Sequence, residues 1–195
     1  VTSVAGTIFA GVLLDKAMRY GFSAHDEPTT LEAWLARGMR IAAIPALERG
    51  RNNPVPTSAE VLAQAERHFA DHCASCHAND GSGDTTVGRN LYPKAPDMRL
   101  APTQNLSDGE LFYIIRNGIR LSGMPAWADE AAEQDTESWG LVRFIRHLPA
   151  LSGTEQAEMR QWNPIGRSQL QEEQSIENYL NGGAVPATTP QSHAH

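Results

Sequence analysis

Cys73-Ala74-Ser75-Cys76-His77 constrains this chain more than any other stretch of it. Two cysteines three apart, followed at once by a histidine, form the attachment sequence for a covalently held haem. Positions i, i+3 and i+4 share one face of a helix. Both thiols can then bond the two vinyl groups on one porphyrin edge while His77 turns toward the iron. These two are the chain's only cysteines. Two other uses compete. A structural zinc site wants four ligands, usually in two separated pairs, and only His72 beside Cys73 offers a cramped local set. A redox dithiol would sit beside a βαβ pattern, which the sequence lacks.

A chain that holds a porphyrin in this way must fold around it, and the composition agrees. Hydrophobic residues make up 41% of the 195 residues but aromatic ones only 7%, so a porphyrin would supply apolar mass that large rings do not. The net charge of −7 argues against a nucleic-acid surface. The excess acid is C-terminal: residues 125–195 carry ten acids and four bases, whereas 78–124 carry five of each. A solvated helical face explains that asymmetry as well as a partner would.

Taken in order, Val1 to Leu14 is uncharged and mostly apolar. It is shorter than the ~20 residues a spanning helix needs, and the chain opens on Val1 rather than on methionine. Residues 1–20 are read as the end of a membrane anchor, with Asp15, Lys16 and Arg19 marking its exit. A signal remnant and a helix buried in a partner are the rivals. Within 21–56, Thr29 and Glu32 suggest a capping box. It opens a docking helix over 29–44 with Leu31, Trp34, Leu35 and Met39 at helical spacing, and the proline-containing stretch 45–56 reads as a linker. The main domain spans 57–150. Thr57 and Glu60 predict a second box, opening a helix through Val61, Leu62, Ala65 and Phe69 into the cysteine motif. Residues 78–102 read as loop. Ser107 and Glu110 predict a third box and a helix to Gly118, and a last helix runs over 137–147, stopped by Pro149. Residues 151–181 form a helical extension, with one or two polar helices around Asn163-Pro164. Residues 182–195 read as a disordered tail, whose His193 and His195 make a weak metal-ligand set.

His77 leaves one axial position on the iron, and whatever fills it decides whether the group cycles electrons or binds small molecules. Met124 is the candidate, in a turn between two helices, with Gly123 permitting close backbone approach and Pro125 stiffening the turn. Met98 is the competitor. A thioether ligand favours ferrous iron and raises the potential. Trp127 could pack on the porphyrin, reach a propionate with its indole N–H, or sit in an ordinary core, and His68, His72 and His147 read as solvated or capping residues.

Residues 57–150 resemble the class I monohaem c-type cytochromes of the bacterial, membrane-associated type. The resemblance rests on the ordered set Ala70-Asp71-His72-Cys73-Ala74-Ser75-Cys76-His77, Gly81-Ser82-Gly83, Ala95-Pro96-Asp97-Met98, Leu106 to Leu111, Asn117-Gly118-Ile119 and Gly123-Met124-Pro125-Ala126-Trp127. It implies an all-α fold of three or four helices around one covalent haem c, with the first and last helices crossing near Phe69 and Phe144. It also implies a proline carbonyl accepting a hydrogen bond from the proximal histidine; Pro96 matches, with Pro93 the other candidate. The activity implied is electron transfer rather than enzymatic turnover. The implied partners are redox proteins, in a respiratory or photosynthetic membrane complex or met by a tethered carrier. The implied place is the periplasm or the outer face of the bacterial cytoplasmic membrane. A haem enzyme or gas sensor with a labile sixth ligand, and a mainly structural subunit, are the alternatives.

Overall fold

A computed structural model of the chain describes residues 23–127 and 135–164, together with residues 6, 9–12, 14–16, 175–176 and 178–181. Among the described residues all regular structure is helical. In order come α1 (Thr30–Ala43), α2 (Ala46–Arg49) and α3 (Ala59–His68). A π-helical turn, Phe69–Cys73, joins α3 to α4 (Ala74–His77). Then follow α5 (Thr86–Arg89), α6 (Ala101–Gln104), α7 (Asp108–Asn117), α8 (Thr136–His147) and α9 (Gly153–Met159), with 3₁₀ turns at Leu148–Ala150 and Arg160–Trp162. The anchor end expected over 1–20 falls largely outside the described residues. The tail 182–195, with His193 and His195, falls outside them entirely. No described helix is long and apolar enough to cross a membrane.

The core is built where α3 and α8 cross. Asp135 caps α8 by accepting from Ser138 N at 2.9 Å, and the helix buries Trp139, Leu141, Val142, Phe144 and Ile145. Gly140 lets the two backbones close: a Cβ there would stand 3.6 Å from that of Ala65. Phe69 and Phe144 meet at the crossing with ring centroids 5.0 Å apart, at a 51° tilt. On the other side Trp139 stacks on Phe112 of α7, with centroids 3.9 Å apart and planes 9° from parallel. The Ser107–Glu110 capping box opens α7 with both of its bonds made, satisfying amides that the first turn otherwise leaves open.

The stretch 45–56 departs from the expected linker. It contains α2, and its backbone is held by side chains from the far end of the domain. Arg143 donates to the Val55 carbonyl at 2.8 and 3.0 Å, and Asn53 Nδ2 donates to the Trp139 carbonyl at 2.9 Å. Gly109 allows α7 to pack directly on α2, since a Cβ at 109 would lie 1.9 Å from the Glu48 carbonyl oxygen. Two caps also differ from expectation. Ser58, not Thr57, caps α3, accepting from Val61 N; Ser outranks Thr as an N-cap. Thr29 accepts from Glu32 N as expected, but Glu32 accepts from the Tyr92 hydroxyl, so no reciprocal bond is described. The expected loop 78–102 is interrupted by α5 and enters α6 at Ala101.

The packed unit continues past 150. Met159 is fully buried, and Asn163 Nδ2 donates to the Ala70 carbonyl at 2.8 Å. The Arg67 guanidinium lies 4.9 Å from the Trp162 ring centroid. His147 meets Glu155 at 2.9 Å instead of capping its own helix. Glu155 also completes a capping box with Ser152. Bonds from the Ser152 side chain and backbone, and then from His147, hold the Glu155 carboxyl down at about 2, below its ordinary 4.5. A carboxyl depressed by folding contributes stability above its unfolded pKa and loses it as pH falls through the folded value. Acid should therefore cost this box its contribution between about pH 4.5 and 2. Thermal melts across that window should fall less steeply for Glu155→Gln than for the parent; equal slopes would refute the assignment.

Candidate functional site

One cavity collects nearly every residue singled out in the sequence. Cys73, His77, Pro96, Met98, Met124 and Trp127 all line it, in walls that are mostly apolar, with Phe69, Leu106, Leu111, Ile115, Leu141 and Ile145 among them. The cleft is open at its mouth, and its empty space, with the open solvent there included, is about 710 Å³. Cys76 is half-buried on the same helical turn but does not reach the cavity wall.

The π-helical turn sets this geometry. It leaves an extra residue in the last turn before the motif, with Ala74 N donating to the Phe69 carbonyl; such bulges recur at functional sites. Beyond His77 the chain turns back at once. Gly83 N donates to the His77 carbonyl at 2.8 Å, and Thr85 Oγ1 donates to that of Cys76 at 3.2 Å. Gly88 is needed beneath the motif, since a Cβ there would lie 2.2 Å from the Cys76 carbonyl oxygen.

Burial fixes the protonation of the motif. It pushes the His77 imidazole down, against the weaker opposite pull of the Pro96 carbonyl. The ring is thus neutral near pH 7, as a metal-binding imidazole must be. Its Nδ1 is buried without a well-formed hydrogen bond, so Pro96 acts on the ring while falling short of ideal bonding geometry. Burial, reinforced by Cys76, pushes the Cys73 thiol up to about 12. That environment suits an uncharged thioether. Among the described residues no group of three or more His, Cys, Asp or Glu could hold a metal ion. An apolar cleft, a neutral imidazole and a thiol held uncharged fit a covalent haem.

The two methionines come from different supports. Met98 is buried; its N donates to the Gly81 carbonyl at 2.8 Å, and its carbonyl accepts from Gln104 Nε2 at 2.7 Å. Met124 is half-buried in a closed loop, its carbonyl accepting from Ile119 N at 3.1 Å and its N donating to Ser122 Oγ at 3.1 Å. Gly118, at φ +64, lets α7 end against that loop. Trp127 N donates to the Ile115 carbonyl, and its ring meets the edge of His72 at 5.5 Å. His72 in turn lies 4.8 Å from His68, which is half-buried and pushed down by that burial.

Sequence reasoning missed Arg40. It lies in the segment expected to dock elsewhere, yet its side chain lines the cavity. No local pattern could have found it.

A helical domain folded over an apolar cleft, with an attachment motif in the cleft wall, defines a carrier of covalent haem. Comparison with known proteins agrees. Residues 60–145 match the family model described as cytochrome c oxidase, cbb3-type, subunit III. Cytochrome c6 of Cladophora glomerata is 34% identical over 80 residues, spanning 41% of this chain and 82% of that protein. The chain belongs to the class I monohaem c-type cytochromes, with their all-α fold and one covalent haem c. Its activity is electron transfer, and it is a carrier rather than an enzyme.

Proposed function

We propose that the haem is bonded through Cys73 and Cys76 and held axially by His77 and Met124, with Pro96 orienting the His77 ring and Trp127 packing at the cleft. The haem supplies a one-electron couple. The chain's own part would be to surround that couple with mostly apolar side chains and to hold it through these residues. The supports of the two methionines favour Met124. Pro96 acts on His77 from its own side of the cleft, and Met98 follows two residues later, tied to Gly81. Met124, which lines the cleft from the separate loop after α7, would then be the second residue to hold the iron. Carbon monoxide added to the reduced protein should leave its spectrum unchanged; a new band in the folded protein would replace the carrier reading with that of a gas-binding protein.

The carrier works docked at a membrane or membrane complex, on the periplasmic or outer face. The observation behind this is the outward face of α1. Leu31, Trp34, Leu35, Met39 and Ile41 are all exposed, Trp34 by 71%. At 100° per residue Leu31, Trp34, Leu35 and Met39 turn away from Ala33 and Arg40, with Ile41 on the flank; those two are the half-buried residues of α1. Trp34→Ser with Leu35→Ser should move the full chain from the membrane to the wash fraction of expressing cells with its haem retained. Equal membrane association of parent and variant would rule out docking through this face.

A further inference from the structure

Arg40 has a buried guanidinium nitrogen with nothing to bond. Its Nε is shielded from solvent and has no hydrogen-bond partner, and its side chain lines the haem cleft. Arg40 is half-buried as a residue, but a shielded donor left without a partner is costly, and on a cationic side chain the partner that best offsets it is an anion. Among the described residues, the protein's own carboxylates do not supply one. Glu110 is the acid whose charge acts on Arg40, but its Oε2 is engaged 2.7 Å from Ser107 N in the capping box of α7. No Asp or Glu lines the cleft. A role on the dipole of its own helix would fit a cation in the last turn, but that role needs no burial.

The placement of α1 sharpens the point. One end is tied to the loop beside the cleft, by Tyr92 to Glu32 and Lys94 to Glu27. At the other, Ile44 is buried and its carbonyl accepts from Arg49 Nε at 3.0 Å. Between these ties Ala33 and Arg40, seven residues apart, face the domain. The helix crosses the cleft as a strap, with one cation turned inward. A porphyrin of the haem c type carries two propionate carboxylates, the anions that would occupy this cleft.

We propose that Arg40 binds a haem propionate, so that α1, outside the region matched by the cytochrome family model, forms part of the haem site. The proposal rests on the haem lying in this cleft. Arginine presents a planar fork that grips a carboxylate through two parallel bonds. It both fixes the strap and offsets a negative charge near the iron, favouring the reduced state. The apolar outward face of α1 is then coupled to the haem: whatever docks on that face presses on a helix that touches a propionate.

The test compares holoprotein carrying Arg40→Gln, Arg40→Lys or Arg37→Gln; Arg37 is exposed on the same helix. The readouts are the midpoint potential and the propionate bending band in resonance Raman spectra. Arg40→Gln should lower the potential and shift the band to lower frequency. Arg40→Lys, which keeps the charge and loses the fork, should recover most of the potential but only part of the band position. Arg37→Gln should leave the band in place. An unshifted band and potential in haem-loaded Arg40→Gln would overturn the proposal, as would an equal band shift in Arg37→Gln. Haem attached normally but with no cleft-derived shift in either arginine variant leaves the cytochrome assignment standing. A parent protein without the haem c absorption spectrum would instead remove the premise.

Discussion

Met124→Ala should open the reduced protein to carbon monoxide, whereas Met98→Ala should not. Both side chains reach the cleft, so the sequence alone leaves them as rivals, and the two substitutions separate them. Loss of an axial thioether removes the preference for ferrous iron. The midpoint potential of Met124→Ala should then fall by about 0.1 V or more, within the ~0.8 V range that axial ligands command. Met98 is 7% exposed, and truncating it leaves a core cavity. Met98→Ala should therefore destabilise by about 2–5 kcal/mol while binding no carbon monoxide and keeping a near-parental potential. The opposite pattern, a carbon-monoxide band in Met98→Ala alone, would transfer the axial role to Met98. Optical titration of the two reduced variants decides it.

What could be read ahead of the structure was local in sequence. The cysteine motif, the Ser107–Glu110 box and the apolar spacing of 137–147 lie within a few turns of themselves, where helical periodicity governs contact. The failures share a different cause. Residues 45–56 contain prolines and no period, so they read as a linker; their order comes from Arg143 and Asn53, through bonds spanning 86 to 90 residues. Glu32 had the right spacing to complete a box with Thr29, but Tyr92, 60 residues away, engages it. Nothing local in the sequence marks Arg40, one charge on an amphipathic helix. Its direction depends on where α1 crosses the domain, which tertiary ties set. Contacts past 150 were hidden for the same reason: Asn163 looks unremarkable in a polar stretch until it bonds the Ala70 carbonyl, and Met159 until it is buried.

Trp139→Ala should cost about 3–5 kcal/mol, the usual loss when a buried aromatic is truncated. The site explains why the upper half of that range is expected. Trp139 is 2% exposed and stacks flat on Phe112. The Arg51 guanidinium covers both rings, 4.7 Å from the centroid of Phe112 and 5.2 Å from that of Trp139. Removing the indole thus strips an aromatic pair and a cation–π contact as well as apolar area, and it loosens the seat of residues 51–55 against α8. Domains have only about 5–15 kcal/mol of net stability, so about a quarter or more would go. At roughly 2–4 °C per kcal/mol for a chain of this size, the melting temperature should drop by about 10 °C. Asn53→Ala separates packing from anchoring, because it removes the bond to the Trp139 carbonyl and keeps the stack. That variant should cost about 1 kcal/mol. A Trp139→Ala melt within two or three degrees (roughly 1 kcal/mol) of the Asn53→Ala melt would mean the stack contributes little, and that α7 and α8 are held instead by the Arg146–Asp108 pair at 2.9 Å.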